Sequence, residues 1–360
     1  MNTFDDCISI LTGPEIYLDH LGVLSELLNI PLIVTEESTL GIAKEFYPNL
    51  NVIHKDISEL TLDYLASNYN SIFHTSKYWM SEIDPLLRLI HKKSMRFVFC
   101  PHGNSDKEAS LKNHVKQDIS LYYGEHMLRQ LNDSISMGIV GFTCKTGNYR
   151  YEYFKKNEIF YKKLLLKRFF TPINEEKKTI FYAPSWDMKT SPSSFFQHFE
   201  KIANSLKKSF NLIVKIHPLL EEHYPAETYF RLSKFENDPS VFLLHKFPAI
   251  YPILSITDIY LGDFSSIGYD FLIMDKPMFF LIPDHNLTGD LHTCGMIIPN
   301  EKIACLDKFI RSNLELCKNK YAQARRDLYT FSFGWDCNLI GLKNELKMTL
   351  KTPQKNQSPT

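Results

Sequence analysis

Asp258-Ile259-Tyr260-Leu261-Gly262-Asp263-Phe264-Ser265-Ser266-Ile267-Gly268-Tyr269-Asp270 is the stretch on which the fold turns. A short apolar run stops at Gly262, a polar turn follows, and an apolar-spaced stretch begins at Ile267. That order spells strand, turn, helix. Ser265 or Ser266 can cap the helix, whose first turn then offers N–H donors and the positive end of a dipole. Phosphate binds such a start through backbone and hydroxyl groups, without a lysine. Taken alone, a serine pair before a helix is an ordinary cap, so its neighbours carry the weight.

Outward from this stretch the same rhythm recurs. Strands are predicted at Thr179 to Ala183, Leu212 to Ile216, Val241 to Leu244, Ile259 to Leu261 and Pro277 to Ile282, with helices at Phe195 to Lys208, Ala249 to Ser255 and Ile267 to Met274. Upstream, strands are predicted at Cys7 to Leu11, Pro31 to Thr35, Asn51 to His54, Ser71 to His74 and Arg96 to Cys100, with helices at Tyr17 to Leu28, Leu60 to Ser67 and Glu82 to Lys92. Alternation of this kind means parallel sheets covered on both faces. A long final helix is expected over Ala304 to Tyr329. With 360 residues the chain exceeds one compact core. The expected organisation is a first Rossmann-like domain over 1–150, a basic and aromatic connecting segment over 151–176, a second Rossmann-like domain over 177–350, and a disordered polar tail over 351–360. Two such sheets leave a cleft at their strand ends, where ligands of open α/β sheets bind.

Those strand ends carry unusual residues. Phe99-Cys100-Pro101-His102-Gly103-Asn104 presents a histidine after a strand, suited to act as a base on a hydroxyl. The alternative is a loop histidine capping a backbone group. Phe181-Tyr182-Ala183-Pro184-Ser185-Trp186 ends a strand on a proline and a hydroxyl, and by itself reads as a turn. Ile213-Val214-Lys215-Ile216-His217-Pro218 leads into a histidine that the proline holds extended. An imidazolium there pairs with a diphosphate and can serve as an acid for a leaving phosphate.

Composition narrows the field. Lys+Arg and Asp+Glu stand at 41 each, which argues against a nucleic-acid binder working through a general basic surface. The seven cysteines include no Cys-x-x-Cys pair, so reduced thiols are expected rather than disulfides or a zinc knuckle. Met1 to Asp6 is acidic, without the basic start of a signal peptide. No apolar run is long enough to span a bilayer. Residues 149–170 mix seven Lys/Arg with Tyr, Phe and Leu, the pattern of an amphipathic helix able to lie on an anionic membrane or of an interdomain helix with a solvated basic face.

In these motifs the chain resembles the CDP-glycerol glycerophosphotransferase family of teichoic-acid and capsule synthesis. The matching elements are His102-Gly103, Thr146-Gly147-Asn148-Tyr149-Arg150 (where the family's proline is missing), Tyr182-Ala183-Pro184-Ser185, Lys215-Ile216-His217-Pro218, and Gly262-Asp263-Phe264-Ser265-Ser266 followed by Asp270 and Lys276-Pro277. Order and spacing agree from about His102 to Ile282. Leu287 to Pro299 departs from the family's Arg-Gly-x-Tyr-Phe-Asp-like stretch, which leaves the acceptor open. The resemblance implies a GT-B-like fold, two Rossmann-type domains with parallel sheets facing across a cleft. It implies transfer of glycerol phosphate from CDP-glycerol to a hydroxyl of a cell-envelope polymer or lipid-linked acceptor, with CMP released and no cofactor or metal. His102 and His217 are the expected catalytic pair. Gly103, Ser185, Lys215, Ser265 and Ser266 are expected to bind the donor, and Asp263 and Asp270 to orient loops or a glycerol hydroxyl. The expected location is cytoplasmic, with peripheral contact at the inner membrane face through 149–170. The alternatives are a GT-B glycosyltransferase using a CMP- or UDP-sugar, and a non-catalytic nucleotide- or glycan-binding relative.

Overall fold

The computed structural model describes residues 4–76, 78–106, 108–114, 117–134, 141–168, 173–186, 193–263, 265–281 and 289–352. Its chain divides into two compact units, Met1–Lys156 with Phe331–Thr360, and Asn157–Thr330.

The first unit holds a parallel sheet of β1 (Cys7–Leu11), β2 (Leu32–Val34), β3 (Val52–His54), β4 (Ser71–His74), β5 (Arg96–Phe99), β6 (Ile119–Tyr122) and β7 (Phe142–Lys145). Their order is β3-β2-β1-β4-β5-β6-β7. Ile8, Ile10, Ile33, Ile72 and Phe97 are sealed on one face against Leu65, Trp79 and Leu87 from the covering helices. Strands buried on both faces read as continuous apolar runs, which is why β1, β4 and β5 were predicted almost to the residue. The strands β6 and β7 were not predicted. The first mixes polar with apolar residues, and the second is an edge strand with partly exposed side chains. The predicted helix from Tyr17 is two elements: a 3-10 turn at Glu15–Asp19, then an α-helix at Leu21–Leu28.

The second unit holds β8 (Thr179–Ala183), β9 (Asn211–Val214), β10 (Val241–Leu243), β11 (Ile259–Gly262), β12 (Met278–Phe280) and β13 (Met296–Ile297), again parallel, in the order β10-β9-β8-β11-β12-β13. Helix Ser194–Leu206 shows how a face is covered. Phe195, Phe199, Ile202, Ala203 and Leu206 recur at helical spacing and pack on Ile180, Leu212 and Ile259 of the sheet. Both sheets place later strands outward on either side of the first, and so both have a switch point, between β1 and β4 and between β8 and β11. Ligands of such sheets bind beyond the strand ends at that point.

Three boundaries differ from expectation. The segment predicted as one basic connector is two helices, Tyr149–Lys156 and Glu158–Arg168, and the division between units falls at Asn157 between them. Within it Tyr153, Phe154, Tyr161, Leu164 and Leu165 are buried, so these apolar side chains are core. The single long helix expected over Ala304 to Tyr329 breaks at Tyr321 into Leu306–Lys320 and Ala322–Phe333. Finally, Phe331–Thr360 belongs to the first unit rather than the second. A guanidinium nitrogen of Arg96, at the start of β5, donates to the carbonyls of Thr349 (2.9 Å) and Thr352, near the end of helix Leu339–Lys351. The returning chain lies so close to Gly124 that a Cβ there would sit 2.5 Å from the Ser332 carbonyl oxygen. The polar tail expected to be disordered lies, from residue 353 on, outside the described residues.

Candidate functional site

In the first unit the site grows from the end of β5. The strand closes at Phe99, and the loop Pro101-His102-Gly103 follows. Gly103 has φ +126°, a conformation that L side chains rarely adopt, so a glycine is required beside the histidine. The His102 ring lies against Tyr17, centroids 5.1 Å apart. Its Nδ1 is buried without a hydrogen-bond partner. Burial holds the imidazole pKa below its usual 6.5, so the ring is neutral at pH 7. A neutral imidazole is the form that can take a proton.

The Thr146-Gly147-Asn148-Tyr149-Arg150 motif supports this loop from below. Arg150 pairs with Asp19, both nearly sealed from solvent, and its Nε donates to the Asp19 carbonyl at 3.1 Å. Tyr149 donates to the His20 carbonyl at 3.2 Å and stacks on Tyr123. Sequence reasoning singled out neither Asp19, His20 nor Tyr123. The only sequence signal for them is a polar Asp-His pair in the turn after β1.

In the second unit, Ser185, His217 and the Ser265-Ser266 pair follow β8, β9 and β11, three adjacent strands at the centre of the sheet. Ser265 is the N-cap of helix Ser266–Phe271, its Oγ accepting from the Ile267 N–H at 3.3 Å. That bond occupies one of the first-turn N–H groups expected to meet phosphate. The Ser266 N–H, at the first helical position, is not used by the cap.

His217 is itself an N-cap. Its Nδ1 accepts from the Leu219 N–H at 3.2 Å, at the start of helix Pro218–His223. An accepting Nδ1 carries no proton, so the ring's one proton is on Nε2. In this arrangement the ring meets a ligand as an Nε2–H donor. The Trp186 ring lies 6.3 Å from that of His217.

The other expected residues are engaged structurally. One carboxylate oxygen of Asp263 accepts both the Ser185 N–H and the Ser194 N–H at 3.0 Å, tying the end of β8 and the start of helix Ser194–Leu206 to the end of β11. Asp263 thus orders loops. Ser185 Oγ is buried and lacks a partner among the described residues. Asp270 is buried and accepts from the Tyr251 hydroxyl at 3.1 Å. The Lys215 ammonium donates to the Phe247 carbonyl at 2.7 Å and so anchors backbone with one of its three N–H groups. A cavity of ≈ 480 Å³ lies beside the edge strand β10, lined among others by Arg168, Asp238 and His245. None of the expected site residues is among the described residues that line it. The seven cysteines are free, and burial pushes the Cys100 thiol up to about 12, far from a nucleophile.

Two parallel Rossmann-type sheets with these loops define a GT-B-like α/β fold. The wall teichoic acid polymerase TagF has a structure similar to it, with a TM-score of 0.64 at 15% identity over 96% of this chain and 88% of that one. Residues 143–291 match the family model described as CDP-Glycerol:Poly(glycerophosphate) glycerophosphotransferase. The teichoic acid poly(ribitol-phosphate) polymerase of Bacillus spizizenii is 25% identical over 190 residues, 51% of this chain and 29% of that protein. The teichoic acid poly(glycerol phosphate) polymerase of the same organism is 28% identical over 155 residues, 39% of this chain and 36% of that protein. The matches therefore span well under half of either relative.

Proposed function

We propose that this protein transfers glycerol phosphate from CDP-glycerol to a hydroxyl of a cell-envelope polymer or a lipid-linked acceptor, releasing CMP. In this reading His102 Nε2 takes the proton of the acceptor hydroxyl as its oxygen attacks the phosphorus bearing glycerol. The bond from that phosphorus to the bridging oxygen breaks, and CMP leaves with the electron pair. The Nε2–H of His217, the Ser265 and Ser266 hydroxyls and the Ser266 N–H donate to the phosphate oxygens as charge builds on the leaving group. Their contribution is positioning and electrostatic, the usual form of catalysis in phosphoryl transfer.

The observation that carries this reading is the convergence of His217, Ser185 and Ser265 at the ends of three adjacent central strands, each within a motif shared with the family. Incubation with a panel of CDP-alcohols and nucleotide sugars tests it. CMP release from CDP-glycerol in the presence of acceptor is the expected result. Turnover of a CMP- or UDP-sugar alone would favour a glycosyltransferase, and binding of CDP-glycerol without turnover a non-catalytic relative.

The same reading sets the protein at the cytoplasmic face of the membrane, where a lipid-linked acceptor would be met. Among the described residues no helix is long and apolar enough to cross a membrane. Support for surface contact comes from helix Glu158–Arg168, where Ile159 (74% exposed) and Leu166 (82%) stand near Lys162, Lys163 and Lys167. Apolar anchors beside lysines suit an anionic bilayer. Flotation with phosphatidylglycerol vesicles should carry the protein upward, and Ile159→Glu with Leu166→Glu should abolish this; unchanged flotation of the double variant would refute the assignment.

A further inference from the structure

The proposed chemistry leaves the buried His20 without a role. His20 sits at the start of helix Leu21–Leu28, after the turn that follows β1. Its Nδ1 lies 2.8 Å from the Tyr123 hydroxyl, and that hydroxyl lies 3.0 Å from the Pro101 carbonyl oxygen. A carbonyl only accepts, so the Tyr123 proton points to Pro101 and His20 Nδ1–H donates to Tyr123. Pro101 is bonded directly to His102, so the chain of hydrogen bonds ends on the peptide that aims the His102 side chain. From the other side, the turn that carries His20 also supplies Tyr17, whose ring lies against His102. The turn is itself held by Arg150 on Asp19 and by Tyr149 on the His20 carbonyl.

We propose that His20 is a positioning residue for His102, acting through Tyr123 to fix the Pro101-His102 peptide. The proposal rests on the reading of His102 as the base. A relay of this kind needs His20 to keep one proton, on Nδ1. Burial first, then the charge of Arg150, hold His20 well below its usual pKa, so a second proton is not taken up near neutral pH. Satisfied buried networks lock a unique geometry, and an error of about 1 Å in a reacting group costs up to about 100-fold in rate.

The test compares His20→Ala, His20→Asn, Tyr123→Phe and the double variant His20→Ala/Tyr123→Phe in the full chain, each with its melting temperature. The amide of asparagine supplies an N–H near the place of Nδ1. The expected result is a fall in kcat of about 10- to 100-fold for His20→Ala and for Tyr123→Phe with KM for CDP-glycerol little changed. His20→Asn should stay within a few-fold of the unsubstituted protein, and the double variant should be no worse than either single one, because both remove the same relay. Full kcat in His20→Ala or Tyr123→Phe, or two multiplying losses in the double variant, would overturn the proposal. If His20→Ala does not fold, the Tyr123→Phe and His20→Asn pair decides. A readout independent of turnover is the imidazole 15N spectrum, which should show His20 as the Nδ1–H tautomer. The Nε2–H tautomer would overturn the relay even if no donor were ever turned over. An inactive unsubstituted protein, or an active His102→Ala, would instead sink the reading on which the relay rests.

Discussion

At the scale of single residues, the proposed function turns on protonation. His102 is half-buried with its Nδ1 sealed, neutral, and set beside a glycine that only its own conformation explains. Replacing it with glutamine should lower turnover by about 100- to 10,000-fold, the usual worth of a general base, without lowering the melting temperature. Retention of near-full turnover would remove it from the chemistry. The pH dependence has a definite sign. As the proposed base it must be unprotonated, and burial lowers its pKa, so the acidic limb of kcat/KM should be centred below pH 6.5. An acidic limb centred above 6.5 would contradict this placement. None of it is written in the motif: the sequence offers a histidine after a strand, but not which nitrogen is sealed. The same holds for His217, whose tautomer follows from a backbone N–H two residues on, and for Lys215, whose carbonyl partner lies 32 residues away.

At the scale of elements, capping and chemistry share one side chain. His217 Nδ1 caps helix Pro218–His223, while its Nε2–H is the proposed donor. Asparagine is a strong N-cap but cannot place a proton where Nε2 does. His217→Asn should therefore keep the melting temperature within a degree or two of the unsubstituted protein yet lose turnover, whereas His217→Ala should lose turnover and about 1 kcal/mol of stability as well. Equal stability losses in both variants, read by thermal melts, would show that the cap bond is unimportant. Elements were legible where burial was simple. Continuous apolar runs such as Ile259–Gly262 gave their strands directly, and the 3.6-residue spacing of Phe195, Phe199 and Ile202 gave its helix. The two-residue β13 and the edge strand β7 carry too little apolar pattern to be seen, and the break at Tyr321 has no proline or glycine to mark it.

At the scale of the whole molecule, the least legible feature is the return of the C-terminal stretch to the first unit. It depends on contacts between residues some 250 positions apart, such as Arg96 with Thr349, and local pattern holds no record of them. That unit also concentrates buried neutral histidines. Burial lowers the pKa of His74 and of His114 to about 3, so both stay neutral in the folded state while the unfolded chain protonates them near 6.5. Stability is thus intact above pH 6.5 and is lost as pH falls toward the folded values, by about 2 kcal/mol for each histidine at pH 5. The unit's melting transition should drop between pH 7 and 5, and less so in His74→Phe; a transition independent of pH would contradict this. The central claim concerns which bond breaks, and CDP-glycerol carrying 32P in the phosphate next to glycerol tests it most directly. Attack at that phosphorus predicts label in the acceptor product and unlabelled CMP. Label recovered in released CDP, with none in the product, would mean that a carbon–oxygen bond is broken instead and would contradict glycerophosphate transfer.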